Sequence, residues 1–371
     1  MDSLTQATLG AAVGEAVLGR KAGWRAPLWG AIAGTLPDLD IVAYPLLDEV
    51  ARLSWHRGPS HAFFYLTLAA PLIAWGVSRI HKNIGTWRQW TLLIYLGLIT
   101  HVLLDAFTVY GTQLFLPFSR VPVAWNSIAI IDPLYTLPLL VAVIVALIMR
   151  RQSPRRRIAI WLGLGLSTAY LLATVGIKVH VDSVAEQALV KEDIAPKRYM
   201  TVPTLFNALL WQITAEVDGG YVVSDYSLLD DDQDLIFEFV PRNDSLLKPI
   251  EHTPAVQRLR WFSQGYFVVT APDGRLLFHD LRFGELGFER DSSYQYIFTW
   301  FLDTTGHPAK PVILEREELT TEQPGRNLKQ LWQRMLGDAP DRFTRSASPQ
   351  ATLSARRPHP PDTARTGYPP Q

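Results

Sequence analysis

Residues 158–177 read IAIWLGLGLSTAYLLATVGI, an uncharged run lying directly between Arg155-Arg156-Arg157 and Lys178. A bilayer-spanning helix needs roughly 17–25 mostly apolar residues, and this stretch meets that requirement in length and composition. Working back along the chain, Ala62–Ser78 and Pro133–Met149 repeat the pattern, and Gln89–Leu104 is uncharged apart from His101. Two weaker segments come first: Leu4–Gly19, rich in small residues, and Ala26–Leu47, interrupted by Pro37-Asp38-Leu39-Asp40. The expected fold is therefore an α-helical polytopic membrane domain of about six helices over residues 1–178.

The loops between these segments carry the orientation. Alternate loops hold Arg20, Lys21 and Arg25, then Arg79, Lys82 and Arg88, then Arg150, Arg151, Arg155, Arg156 and Arg157. The opposite loops hold only Arg52, Arg57 and Arg120. Basic loops stay cytoplasmic, so this asymmetry expects a multi-pass inner-membrane protein with everything after Ile177 outside the cytoplasm. Asp2 stands where a signal peptide would carry basic charge, so the first segment reads as part of the bundle.

Whole-chain averages conceal this division. The chain has 371 residues, with 35 Lys+Arg against 35 Asp+Glu and no cysteine. Zero net charge argues against a nucleic-acid partner, and the missing thiol excludes disulfides and cysteine chemistry. Split at Lys178, the balance is +7 before (15 basic, 8 acidic) and −7 after (20 basic, 27 acidic). Residues 179–337 read as a small α+β or β-rich extracytoplasmic domain. Its signals are turns at Asp218-Gly219-Gly220 and Pro272-Asp273-Gly274 between β-type runs, a strand at Tyr294–Asp303 and a helix around Pro254–Ser263. Residues 338–371, rich in Pro, Arg, Ser and Thr, read as a disordered tail.

Ionisable residues beside membrane spans are costly and point to function. They fall in three groups: Asp38 and Asp40 after a helix-breaking proline; His56 and His61 around Arg57-Gly58-Pro59-Ser60; and His101 with Asp105, one helical turn apart. Ser60 reads as the N-cap of the following span. Each group also has an ordinary structural reading: a helix end, a polar turn and a helix-stabilising pair. Together, at one membrane level, they are six candidate ligands for a divalent metal. A sulfur-free His/carboxylate set suits Zn²⁺, Mn²⁺ or Fe²⁺, and a bridging Asp would allow two ions. Arg57 is a candidate for holding a phosphate or other anion, and Asp132, with Tyr110 and Gln113, for contacting the site or its substrate. Headgroup depth makes a membrane lipid or lipid-linked phosphoester the expected substrate class; a protein partner is not specified by the sequence. A non-enzymatic partner-binding membrane protein and a proton- or ion-coupled transporter are the alternatives, the latter because broken helices also mark transport sites.

Asp2-Ser3-Leu4-Thr5-Gln6, LPDLD at 36–40, HRGPSH at 56–61 and THVLLDAFT at 100–108 together resemble the YdjM-like family. YGTQLFLPFS at 110–119, followed by Asp132-Pro133-Leu134-Tyr135, resembles the subset with an added C-terminal domain. The resemblance implies an inner-membrane, metal-dependent hydrolase, in some members under LexA control, distantly similar to zinc-dependent phospholipase C and related single-strand nucleases. Some members carry a histidine in the first helix where this chain has Gln6. An amide is a poor zinc ligand, so a site dependent on that position would be remodelled here.

Overall fold

The computed structural model describes residues 1–286, 295–305, 312–317 and 324–337. The expected disordered tail lies outside the described residues. Helices come first: α1 Ser3–Ala22, α2 Arg25–Thr35, α3 Glu49–Trp55, α4 Phe63–Ile80, α5 Trp87–Ala106, α6 Pro133–Ile148 and α7 Pro154–Lys191. Three of them, α4, α5 and α7, are long and apolar enough to cross a membrane, and α6 is a shorter apolar helix. Ala26–Leu47 is not one helix. After α2 the chain tightens into a 3-10 helix, Leu36–Leu46, at Pro37, whose ring cannot continue the preceding hydrogen-bond ladder.

Glycines let α1 and α2 meet backbone to backbone. Gly10 and Gly14 face Gly30 and Gly34, four residues apart on each helix. A Cβ on Gly30 would stand 2.1 Å from the Gly10 carbonyl oxygen, and one on Gly34 would stand 2.5 Å from that of Gln6. This small-residue crossing is characteristic of membrane helix packing. Deeper in the bundle, Arg156 of α7 forms a two-pronged ion pair with Glu15 of α1, both N–O distances being 2.6 Å. Arg156 is thus turned inward and neutralised, although its sequence position counts it among the basic loop charges. The basic loops nevertheless gather at one end. Arg151 donates to the Lys21 carbonyl at 3.1 Å, and Lys21 donates to Gln89 at 3.2 Å.

The helix carrying residues 158–177 does not stop at Lys178, as the sequence division expects. It runs 38 residues, about 57 Å at 1.5 Å per residue. The reason is a helical stripe at Val181, Val184, Ala185, Ala188 and Leu189, all buried against Trp211, Ile213, Ala215 and Val222. Those partners belong to an antiparallel sheet of β1 Arg198–Pro203, β2 Leu210–Val217, β3 Gly220–Ser227 and β4 Glu238–Pro241. A second antiparallel sheet holds β5 Phe267–Thr270, β6 Leu277–Leu286, β7 Gln295–Asp303 and β8 Ile313–Arg316. Both expected hairpins, the expected strand (β7) and the helix around Pro254–Ser263 (α8, Pro254–Phe262) are present, so the C-terminal part is β-rich. Period-two alternation sends Trp211 and Ile213 toward α7, while Tyr221 and Val223 share a layer with Val268 and Leu281 of the second sheet. The second sheet's other face packs on α8 and on Leu53 of α3. The last described helix is α9, Pro324–Met335.

His279 of β6 is buried between Thr270 and Thr299, at 2.8 and 2.9 Å. Burial depresses its imidazole to about 4 from an ordinary 6.5. As pH falls the unfolded chain takes up this proton first, so stability is full above pH 6.5 and declines toward pH 4. The loss from this residue between pH 7 and pH 5 should be ~2 kcal/mol. Thermal unfolding at the two pH values, with and without His279→Gln, checks it; an unchanged slope in the variant would remove the assignment.

Candidate metal centre

Four of the six sequence-selected ligands meet at one point. The Nε2 atoms of His61 and His101 lie 3.2 Å apart. Asp105 Oδ2 is 3.3 Å from His61 Nε2 and 3.5 Å from His101 Nε2. Asp38 Oδ1 is 3.4 and 3.5 Å from the same two nitrogens. All four atoms fall within 4.8 Å of one another, and the group could hold a metal ion. His61, His101 and Asp105 are fully buried, while the Asp38 side chain keeps 23% exposure and marks the open side.

The hydrogen bonds around the ring nitrogens decide what those four atoms are. His101 Nδ1 lies 2.5 Å from the Gly34 carbonyl oxygen, which can only accept, so Nδ1 carries the proton. Ser60 Oγ donates to Asp40 Oδ2 at 3.0 Å and is therefore an acceptor toward His61 Nδ1, also at 3.0 Å. For neutral imidazoles both Nε2 atoms then present bare lone pairs to each other and to two carboxylate oxygens. Four electron-rich atoms at this spacing repel unless a cation lies among them or an imidazole Nε2 carries a proton toward a carboxylate. A tetrahedron of ligands 2.0–2.1 Å from a central zinc has edges of about 3.3–3.4 Å; five of the six edges here are 3.2–3.5 Å, and the two carboxylate oxygens lie within 4.8 Å of each other. Asp105 Oδ2 is buried and makes no hydrogen bond, its neighbour being the Arg57 guanidinium, with Nε at 3.1 Å.

Asp40 and His56 are placed outside this group. The 3-10 helix has three residues per turn, so positions two apart point about 120° away from each other. Asp38 turns to the centre, and Asp40 turns to the loop behind it. There it accepts from His56 Nδ1 at 2.9 Å and the Arg57 backbone N–H at 3.0 Å, besides Ser60. Burial would raise the Asp40 carboxyl, but the hydrogen bond and charge of His56 outweigh it and hold the acid below its ordinary range. Ser60 is not the cap of α4, which starts at Phe63 after Ala62, because its hydroxyl is committed to Asp40 and His61. The chain Asp40–Ser60–His61 orients a ligand from behind, and such partners are worth roughly 10–100-fold in metal affinity. Ser60→Ala should therefore weaken metal binding by about that factor with folding unchanged, as read by competition with a chromogenic chelator.

Arg57 is buried, with a backbone φ of +55°. Its Nε lies 3.1 Å from Asp105 Oδ2, and its Nη1 donates to Thr108 Oγ1 at 3.2 Å. The guanidinium also lies over the Tyr110 ring, 4.6 Å from its centroid. Its charge thus supports Asp105. Tyr110 is enclosed by His56, Phe262, Phe283 and Phe298, and burial pushes its phenol well above the ordinary range, keeping it neutral. The β-rich part holds this loop in place. Arg282, paired with Asp280 at 2.7 Å, donates to the Val109 and Tyr110 carbonyls. The Gln113 amide donates to the Ser54 carbonyl, bracing α3 and the histidine turn.

Asp132 has a structural role at the start of α6. Its Oδ1 caps α6 by accepting from the Leu134 and Tyr135 N–H groups, and Tyr170 donates to its Oδ2 at 2.8 Å. Asp followed by Pro at the first helical position is a helix-start signature, and that signal was available in the sequence. Gln6 is the residue whose role the sequence left open. Its amide Nε2 donates to Asp105 Oδ1 at 2.9 Å and to the His101 carbonyl at 3.2 Å, bracing two of the donors, and its Oε1 is buried without a hydrogen-bond partner. The amino group of Met1 also contacts Asp105 Oδ1, at 2.6 Å.

Residues 1–181 match the family model described as YdjM inner membrane protein. The helical region belongs to the YdjM family. The match covers all four converging donors of the YdjM region and ends just past Lys178, where α7 begins to pack on the first sheet. No curated protein and no solved structure matches the chain.

Proposed function

We propose that this protein is a membrane-bound, metal-dependent hydrolase acting on a phospholipid or related phosphoester at the extracytoplasmic membrane surface. The observation that carries this reading is the convergence of Asp38, His61, His101 and Asp105, whose four ligand atoms lie within 4.8 Å of one another. Two nitrogens and two oxygens suit Zn²⁺ best, with Mn²⁺ as the alternative. A divalent ion bound there supplies Lewis acidity toward a phosphoryl oxygen and lowers the pKa of water.

The chain's own residues complete the reading. Arg57 stabilises the buried Asp105 carboxylate and concentrates positive charge beside the site, where an anionic phosphate would bind. Asp38 is the exposed donor, so substrate approaches from its side. Leu39, Ile41, Val42 and Leu46 are exposed on the same 3-10 segment, and Phe115 and Phe118 are exposed on the loop after Tyr110; such surfaces favour an acyl-bearing substrate. The gathering of the Lys21 and Arg151 loops at one end supports a cytoplasmic location for that end, with the site and the β-rich domain opposite.

The test is hydrolysis of a panel of phospholipids and soluble phosphoesters by detergent-purified protein, metal-loaded and chelator-stripped. Metal-dependent headgroup or phosphate release supports the reading. No metal-dependent cleavage of any member, by protein that has bound zinc or manganese, overturns it.

A further inference from the structure

We infer that α9 is an interfacial helix, lying on the lipid surface beside the outer end of α7 with its exposed apolar stripe in the headgroup–acyl boundary. At 100° per residue, Leu328, Leu331, Trp332, Met335 and Leu336 cover an arc of about 140°. The β-rich domain covers only one edge of that arc. Met335 is buried and Leu331 half-buried, whereas Trp332 and Leu336 remain 53% and 56% exposed and Leu328 is exposed beside them. Lys329 and Gln333, also exposed, border the open stripe. A wide apolar arc whose open part centres on Trp332, with Lys at its rim, is the composition of a helix that lies in a membrane interface.

Its place in the fold supplies the partner. α9 is fastened to the end of β3: Arg334 pairs with Asp230 and donates to the Asp225 carbonyl at 3.0 Å, and Ser227 Oγ donates to the Met335 carbonyl at 2.6 Å. That end of the sheet sits at the limit of the apolar helices. Tyr226 contacts His180, three positions past Ile177, at 3.4 Å. Leu228 N–H donates to Leu209, and the Phe206 N–H donates to the carbonyl of Ile131, the residue before the α6 cap. Phe206 and Leu229 are exposed here too. The open stripe is therefore continuous with the level at which α6 and α7 leave their apolar stretches, and a lipid surface is the occupant the geometry favours.

The natural absence of cysteine makes a direct test simple. Single variants Leu328→Cys, Trp332→Cys, Leu336→Cys, Lys329→Cys and Gln333→Cys of the full chain are nitroxide-labelled and reconstituted into vesicles of phosphatidylcholine and phosphatidylglycerol. Relaxation by oxygen, which enters lipid, is compared with that by a water-soluble nickel chelate. The ratio should be several-fold higher at 328, 332 and 336 than at 329 and 333. Equal, water-like ratios at all five positions overturn the inference. So does spin–spin broadening at 332 that disappears on dilution with unlabelled protein, because a second copy would then be covering the stripe.

Discussion

His101→Ala should cost the protein its bound metal, with affinity falling by more than roughly 100-fold, beyond the effect of losing a supporting residue. His101 Nε2 touches each of the other three donors, at 3.2, 3.5 and 3.5 Å, so its removal opens the set on every side. It also leaves the Asp38 and Asp105 carboxylates sharing a pocket with one imidazole. Asp105→Asn is the companion variant, because it keeps shape and the contact with Gln6 while removing the charge that a cation requires. Metal analysis of detergent-purified wild-type and variant proteins, prepared without chelator, reads the result. Both variants should be metal-poor at unchanged monodispersity. Full metal content in either would show that Asp38, His61 and their neighbours hold the ion without it, and the donor assignment would fall.

Arg156→Ala should destabilise the helical region by about 3–5 kcal/mol, the usual cost of stranding one member of a buried pair. Both side chains are 6% exposed and their two hydrogen bonds are short, so Glu15 has no ready replacement from water. Replacing both residues, Glu15→Leu with Arg156→Leu, should recover most of the loss, since no charge is then left buried. Thermal unfolding in one detergent gives both numbers, and a single variant within 0.5 kcal/mol of wild type would rule out a buried, mutually dependent pair. Membrane orientation should be unchanged in either variant, because Arg156 is already neutralised by Glu15 and contributes little to the loop-charge bias.

Much of this was legible in the sequence, residue by residue. His101 and Asp105 share one helical turn, and periodicity alone places them on one face. The Asp218-Gly219-Gly220 and Pro272-Asp273-Gly274 turns fix their hairpins locally, since Gly219 and Gly274 adopt positive φ. The GxxxG spacings at Gly10–Gly14 and Gly30–Gly34 were equally readable as a close helix crossing. Asp132 and Ser60 show the opposite case. Both sit among chemically suggestive neighbours, yet one caps a helix and the other orients an imidazole, and composition does not distinguish these uses. The extension of α7 to Lys191 was written in the stripe from Val181 to Leu189, but short apolar runs read as strand or helix until a partner surface is known.

What the sequence by itself determined is therefore the set of local events: which stretches are apolar enough for a membrane, where Pro37 breaks a helix, which turns close, and which ionisable residues stand beside the spans. Each depends on neighbours within a turn or two, where backbone sterics and solvent transfer act directly. Only the tertiary structure decided which carboxylate of Asp38 and Asp40 reaches the histidines, that His56 braces Asp40 and Gln6 braces Asp105, and that Tyr110 is gripped by the β-rich domain. Those choices depend on the phase of a 3-10 helix and on contacts between residues far apart in the chain: Gly34 with His101, Ser60 with Asp40, Arg282 with Tyr110. Differences of a few ångströms decide there whether a polar atom faces a cation or a hydrogen bond.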